Sequence, residues 1–202
     1  MTKEEMNDLQ RFSYALGMSM GHNFLGSGIK NLDASFFTRG VQTAYGQESP
    51  SMTLEEAKAT MDAFFSALQE RVVEENKKNG QAFLEQYAKE EGVVVLPSGL
   101  MYKVLRQGEG RKPSVGDRVR VHYTGRTVDG QIFDSSESRG EPAEFGVTQV
   151  IAGWVEALQL MQEGSRWQLA IPHDLAYGSR GAGQAIAPYS TLIFDVELIK
   201  VL

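Results

Sequence analysis

Proline all but vanishes from the first 92 residues of this chain and then recurs five times. Pro50 stands alone in the first stretch, whereas Pro97, Pro113, Pro142, Pro172 and Pro188 punctuate the second. Proline removes an amide donor and breaks helices, so the first stretch is free to be helical while the second must turn often. A helical half followed by a half of strands and turns is an α+β arrangement, and 202 residues leave room for two small domains.

In the first half, Leu9, Phe12, Leu16, Met20 and Phe24 recur at spacings of three and four, the signature of one helix face. A second short helix is expected over about 33–46, with Phe36, Phe37, Val41, Ala44 and Tyr45 inward. A third begins where Thr53 caps and Glu56 reaches back in a capping box. Its stripe runs through Leu54, Ala57, Met61, Phe64, Leu68 and Val72, then weakens through Phe83 and Tyr87 to Gly92. Some 38 helical residues would span about 57 Å. The later part, VVEENKKNGQAFLEQYAKEEG, is mostly polar and reads as a solvated stalk over 71–92, with Gly80 as a candidate bend. Residues 1–70 hold more apolar side chains than so thin a fragment can bury, which predicts association with a second copy.

The second half alternates. Val119, Val121 and Tyr123 fall on one face of a strand; Arg118, Arg120 and His122 fall on the other, with His122 expected outside. Asp129-Gly130 is a hairpin turn signal, read as a turn with positive φ at both residues. Gln131-Ile132-Phe133 returns, 166–171 and 191–202 also alternate, and 154–161 reads as a short helix. Residues 93–202 are thus an antiparallel sheet with one helix against it.

Several chemistries can be set aside. There is no cysteine, hence no thiolate nucleophile, disulfide or cysteine-based zinc site. The formal net charge is −6 without a cluster of Lys and Arg, which argues against nucleic acid as a partner. His22, His122 and His173 share no ligand spacing, so no metal or other cofactor is expected. Ser135 and Ser136 lack the elbow that presents a serine nucleophile, and Asp-Ser-Ser after a strand is a turn signal. YGSRGAGQ has the glycines of a phosphate loop but neither the Lys-Ser/Thr nor the helix that should follow, and reads as a surface loop.

What remains is aromatic: Tyr123, Phe133, Trp154, Tyr177 and Phe194, each on a separate element. Taken with VHYTGRTVDGQIFDSS, EPAEFGVTQVIAGWVEAL, GSRWQLAIPHDLAYG and STLIFDVELIKVL, they make residues 93–202 resemble the FKBP-type peptidyl-prolyl cis-trans isomerases. SYALGMSMGHNFLGSGI and the long helix resemble the N-terminal dimerisation module of the two-domain bacterial members, the macrophage-infectivity-potentiator type. The resemblance implies a pocket with Trp154 as its floor and Tyr123, Phe133, Val150, Ile151 and Phe194 as its walls. Tyr177 would offer its hydroxyl, and Ile151 its amide, to substrate carbonyls. Asp134 would be the charged group at the edge, Arg139 would pair with Asp134 or hold the loop, and Ile186 would overhang the site.

Such a pocket needs no nucleophile. The planar amide is stabilised by charge separation that fades as the bond twists, over a barrier of about 18–20 kcal/mol. Stripping water from the amide and fixing donors in the twisted geometry should favour the transition state. The partners implied are proline-containing peptides, unfolded chains and a second copy of the chain. The macrolides tacrolimus and rapamycin are implied more weakly, because Ala143, Ala182 and Ala185 thin the rim and the link from Phe145 to Val150 is short. A chaperone-like binding module with incidental isomerase activity is the rival, and a plain interaction scaffold comes third; intact Asp134, Trp154, Tyr177 and Phe194 favour the enzyme. MTKEEMNDLQ has no apolar signal core and no run reaches membrane-spanning length. The expected compartment is the cytoplasm, or the periplasm or outer membrane if a leader has been removed.

Overall fold

A computed structural model describes residues 5–202. The chain divides into two compact units, 1–68 and 69–202.

The first unit holds α1 (Asp8–Gly26), α2 (Ala34–Ala44) and the start of α3 (Leu54–Tyr87). Each start has a local cause. Asn7 and Gln10 bond reciprocally at α1, the Asp33 carboxylate accepts from Ser35 and Phe36 amides at α2, and Thr53 and Glu56 form the expected capping box at α3. Neither α1 nor α2 contains a single buried residue, and Phe12, Phe36 and Leu54 remain well exposed.

The stalk expectation needs correction. Helix α3 has 34 residues, and its later part is not simply solvated: Gly80 and Tyr87 are its buried residues. Both belong to the second unit, where this half of α3 packs on the sheet domain. Gly80 lies within one continuous helix, two turns before its end. Its place is set by close approach rather than by a bend, since a Cβ there would come within 3.1 Å of Thr191 Cβ and nearer still to Thr191 Oγ1. Composition showed a polar segment and could not show that a glycine on it faces a neighbour.

The sheet of the second unit has strands β1 (Val93–Val95), β2 (Met101–Arg106), β3 (Arg118–Thr127), β4 (Ile132–Ser135), β5 (Ala143–Gly146), β6 (Arg166–Ile171) and β7 (Leu192–Val201). It is antiparallel throughout in the order β1-β2-β6-β7-β3-β4, and β5 pairs with the first half of β3. A single turn, α4 (Ser136–Arg139), follows β4, and α5 (Ala152–Leu160) covers the core face. Along β3, Val119, Val121 and Tyr123 are buried as the alternation predicts, and they meet Trp154, Ala157 and Leu158 of α5 in one apolar cluster.

The hairpin between β3 and β4 differs from expectation. Only Gly130 has a positive φ, +88°; Asp129 does not. The amide of Gly130 donates to Thr127 O at 2.9 Å and that of Thr127 to Gln131 O at 3.0 Å. This is the three-residue loop, a tight turn closed by one left-handed glycine, which spares Asp129 a strained backbone. His122 is half-buried rather than outside, with Nδ1 3.1 Å from Ser136 Oγ.

Candidate active site

The inward face of β3 does not end at the core; its last aromatic residue opens into a cleft. Trp154, in the first turn of α5, is only 4% exposed. Its indole meets Tyr123 and Phe194 with ring centroids 5.3 Å apart and Phe145 at 6.0 Å, all close to perpendicular. Phe133 closes the chain of rings by an edge contact to Phe194 at 5.6 Å. Edge-to-face pairs contribute about 0.5–1.5 kcal/mol each beyond area burial, so these walls hold one another in place without a ligand. Gly125 makes the arrangement possible. A Cβ on that strand residue would lie 2.6 Å from Phe194 Cε1 and 2.7 Å from Phe133 Cζ, so only glycine lets both rings approach.

The cleft encloses about 380 Å³ and is lined by Tyr123, Phe133, Asp134, Phe145, Gln149, Val150, Ile151, Trp154, Tyr177 and Phe194. That volume lies within the usual range of small-ligand sites. Eight of these residues are ones the sequence singled out. Phe145 and Gln149 are additions, as is Gly125 behind the wall; the alternation around Phe145 was the available signal. Arg139 and Ile186 do not line it. Arg139 reaches Asp134 and Tyr123 from outside, and Ile186, 5% exposed, packs into the core instead of overhanging an open site.

The polar groups sit at one edge. The Tyr123 hydroxyl donates to Asp134 Oδ2, Arg139 pairs with Asp134 Oδ1, and Arg139 Nη2 also donates to the Tyr123 oxygen at 3.1 Å. Partial burial works to raise the Asp134 carboxyl, but the bonds from Tyr123 and Arg139 outweigh it and hold the group below its ordinary value. Burial, and then the bond to Asp134, raise the Tyr123 phenol. Burial and the negative Asp134 also raise Tyr177, whose hydroxyl has no partner among the described residues. The amide of Ile151, directly before α5, is likewise unclaimed. The lining thus offers one fixed carboxylate and, unengaged, the Tyr177 hydroxyl and the Ile151 amide.

Neither serine is set up for attack. Ser135 caps α4 by accepting from the Ser138 amide at 3.1 Å, and its Oγ lies 2.8 Å from Thr124 Oγ1. Ser136 is buried, accepts from the Tyr123 amide at 2.8 Å and lies 3.2 Å from the Tyr123 carbonyl. Both lock the backbone that presents Tyr123 and Asp134.

Comparison with known proteins agrees with this geometry. Residues 109–199 match the family described as FKBP-type peptidyl-prolyl cis-trans isomerase, and residues 9–104 match the domain amino terminal to it. The "FKBP-type 22 kDa peptidyl-prolyl cis-trans isomerase" of Escherichia coli (strain K12) is 44% identical, over 94% of this chain and 94% of that protein. The chain belongs to the FKBP-type peptidyl-prolyl cis-trans isomerases. The "Outer membrane protein MIP" of Legionella longbeachae is 43% identical, over 96% of this chain and 86% of its own length. The crystal structure of FkpA from Escherichia coli superposes with a TM-score of 0.73 at 39% identity, covering 96% of this chain and 97% of that one.

As an FKBP-type enzyme of the two-domain form, the protein accelerates isomerisation of X-Pro bonds during protein folding. The rival reading as a binding module with incidental activity is not favoured. The α+β fold, a helical N-terminal region followed by an antiparallel sheet with one covering helix, is that of the FkpA structure. No helix among the described residues is long and apolar enough to cross a membrane. The cytoplasmic expectation finds no support among these relatives, one of which carries an outer-membrane name.

Proposed function

We propose that the cleft around Trp154 is where the X-Pro bond is twisted, with the proline ring against the indole and within the walls of Tyr123, Phe133, Val150, Ile151 and Phe194. The observation that carries this reading is the pairing of a cleft walled by aromatic rings with unengaged donors, the Tyr177 hydroxyl and the Ile151 amide, in its lining. Burying the planar amide removes the water that stabilises its separated charge, and that loss is smaller for the twisted amide. The Tyr177 hydroxyl and the Ile151 amide hold the flanking carbonyls in the twisted geometry. Asp134 acts through its field and its bond to Tyr123, steadied by Arg139; it removes no proton.

A pH profile tests this against general acid–base chemistry. Asp134, with its value lowered, stays ionised from below the ordinary carboxylate range upward, and the raised Tyr123 and Tyr177 stay protonated to above the ordinary phenol range. No cleft group changes charge between those limits, so kcat/KM in a protease-free assay should vary less than about twofold from about pH 5.5 to 9. The linked stability follows the same signs. The Asp134 contribution is complete above its unfolded value and is lost as pH falls through the lowered folded one. The Tyr123 contribution is complete below the unfolded phenol value and is lost as pH rises through the raised folded one. A bell-shaped rate profile within that window would overturn the mechanism.

Residues 1–70 are read as a homodimerisation module and 93–202 as the catalytic domain, with the second half of α3 counted as part of the latter. Support for pairing comes from the uncovered faces: Leu9, Phe12, Phe36 and Leu54 are 65–91% exposed. An apolar groove of about 940 Å³ also runs along Phe36, Met52 and Leu54. Contiguous apolar surface of this kind marks an interface. Clients are proline-containing peptides and unfolded chains. Tacrolimus and rapamycin are proposed as ligands weakened by the small rim residues Ala143 and Ala182. For the compartment, the name of the Legionella relative supports the cell envelope over the cytoplasm, and fractionation against marker enzymes decides it.

A further inference from the structure

The later half of α3 does more than carry the catalytic domain: it grips the loop that follows Tyr177. Asn76 Nδ2 donates to the Pro188 carbonyl at 2.9 Å and lies 3.5 Å from Ser190 Oγ, which itself donates to Ala187 O at 2.7 Å. One residue on, the Lys77 ammonium stands 4.4 Å from the centre of the Tyr189 ring, whose edge contact on His173 is 5.0 Å. One turn further, Gly80 lets the helix lie directly on Thr191.

Between these contacts is Tyr189, the one residue other than glycine with positive φ (+59°) among those described. A side-chain-bearing residue is held in that conformation only where its surroundings over-determine it, and here Lys77 of α3 shares that role with His173 and Gly178. The Tyr189 amide donates to Gly178 O at 2.8 Å, while Ala182 and Ile186 pair through both their backbone bonds. Residues 178–189 therefore form a closed loop whose base is Gly178 against Tyr189, and Gly178 follows directly on Tyr177. Beside the grip, a groove of about 400 Å³ lined by Asn79, Ala187 and Ser190 leaves room for the loop to shift if it is released.

We infer that Asn76, with Lys77 and Gly80, is a positioning residue for the isomerase: through Pro188 and Tyr189 it fixes the Gly178 end of the loop and hence the Tyr177 hydroxyl. The inference rests on the reading of Tyr177 as a donor to the twisted amide. A donor that meets its acceptor only in the transition state is sensitive to small misplacement, even from a distant change.

Asn76→Asp keeps the side chain's size and exchanges its donor for a charge that repels the Pro188 carbonyl. In the full chain it should lower kcat on a short X-Pro peptide about three- to tenfold while KM moves less than about twofold. In a Tyr177→Phe background the same change should have little further effect, because both act through one hydroxyl. Hydrogen exchange at the amides of Ala182, Ile186 and Tyr189 should quicken in Asn76→Asp, and this readout does not depend on turnover. Wild-type kcat in Asn76→Asp, or losses that simply multiply with those of Tyr177→Phe, would overturn the inference. So would a silent Tyr177→Phe, although exchange would still report the grip itself.

Discussion

A chain lacking residues 1–68 is expected to run as a monomer in light scattering, to keep its activity on short peptides within about twofold, and to lose catalysed refolding of a proline-limited protein by more than about tenfold. The first unit buries nothing in α1 or α2, so its apolar faces need a partner surface, and two-fold pairing of identical faces is the simplest supply. Two clefts joined in one particle present the second site to a bound folding chain at an effective concentration in the millimolar range. A short peptide spans only one cleft and gains nothing. The truncation leaves 69–202 intact, including the half of α3 that grips the loop after Tyr177. Equal losses in both assays, or a full-length chain that scatters as a monomer, would contradict the division of labour.

The second large effect concerns the floor of the cleft. Trp154→Ala removes a ring that is 4% exposed and in contact with three others, so the cavity left behind should cost about 3–5 kcal/mol. Activity lost with that variant would not separate catalysis from folding. Trp154→Phe does separate them. The Trp154 Nε1 is buried with no hydrogen-bond partner among the described residues, so an apolar ring forfeits no protein bond there. Its stability loss should stay below that of alanine by about 2 kcal/mol, because most of the volume is kept. Its kcat/KM should still fall several-fold, since the proline ring rests on a smaller surface. Urea unfolding and a peptide assay on both variants check this; a Trp154→Phe enzyme at full rate would remove the floor from the mechanism.

Much of the architecture could be read from residue order, and the parts that could not share a physical reason. Alternation in 117–123 and the Thr53/Glu56 box report local choices, and both elements are present. The Trp154, Tyr123 and Phe194 constellation was legible only as a resemblance, because spacing in sequence does not bring three separate elements together. Gly80 read as a candidate bend, and Gly125 carried no sequence signal of its own. What explains each is a neighbour across space, Thr191 for one and the rings of Phe133 and Phe194 for the other. Alternation could mark Phe145 as inward, but not that its strand, paired with β3, sets it against Tyr123 and Trp154. The grip of Asn76 on Pro188 spans 112 positions and left no local trace.

The central claim is that an aromatic cleft with hydrogen-bond donors in its lining, and no proton transfer, turns the prolyl bond. Exchange spectroscopy on a short X-Pro peptide with the full chain tests it most directly, because the uncatalysed interconversion takes tens to hundreds of seconds at about 25 °C. The wild-type chain at about micromolar concentration should speed the exchange visibly. Asp134→Ala and Tyr177→Phe, each with native circular dichroism, should lower kcat/KM about tenfold, roughly the worth of one hydrogen bond at a charged or buried site. No acceleration by the wild type, or both variants at the wild-type rate, would contradict the account.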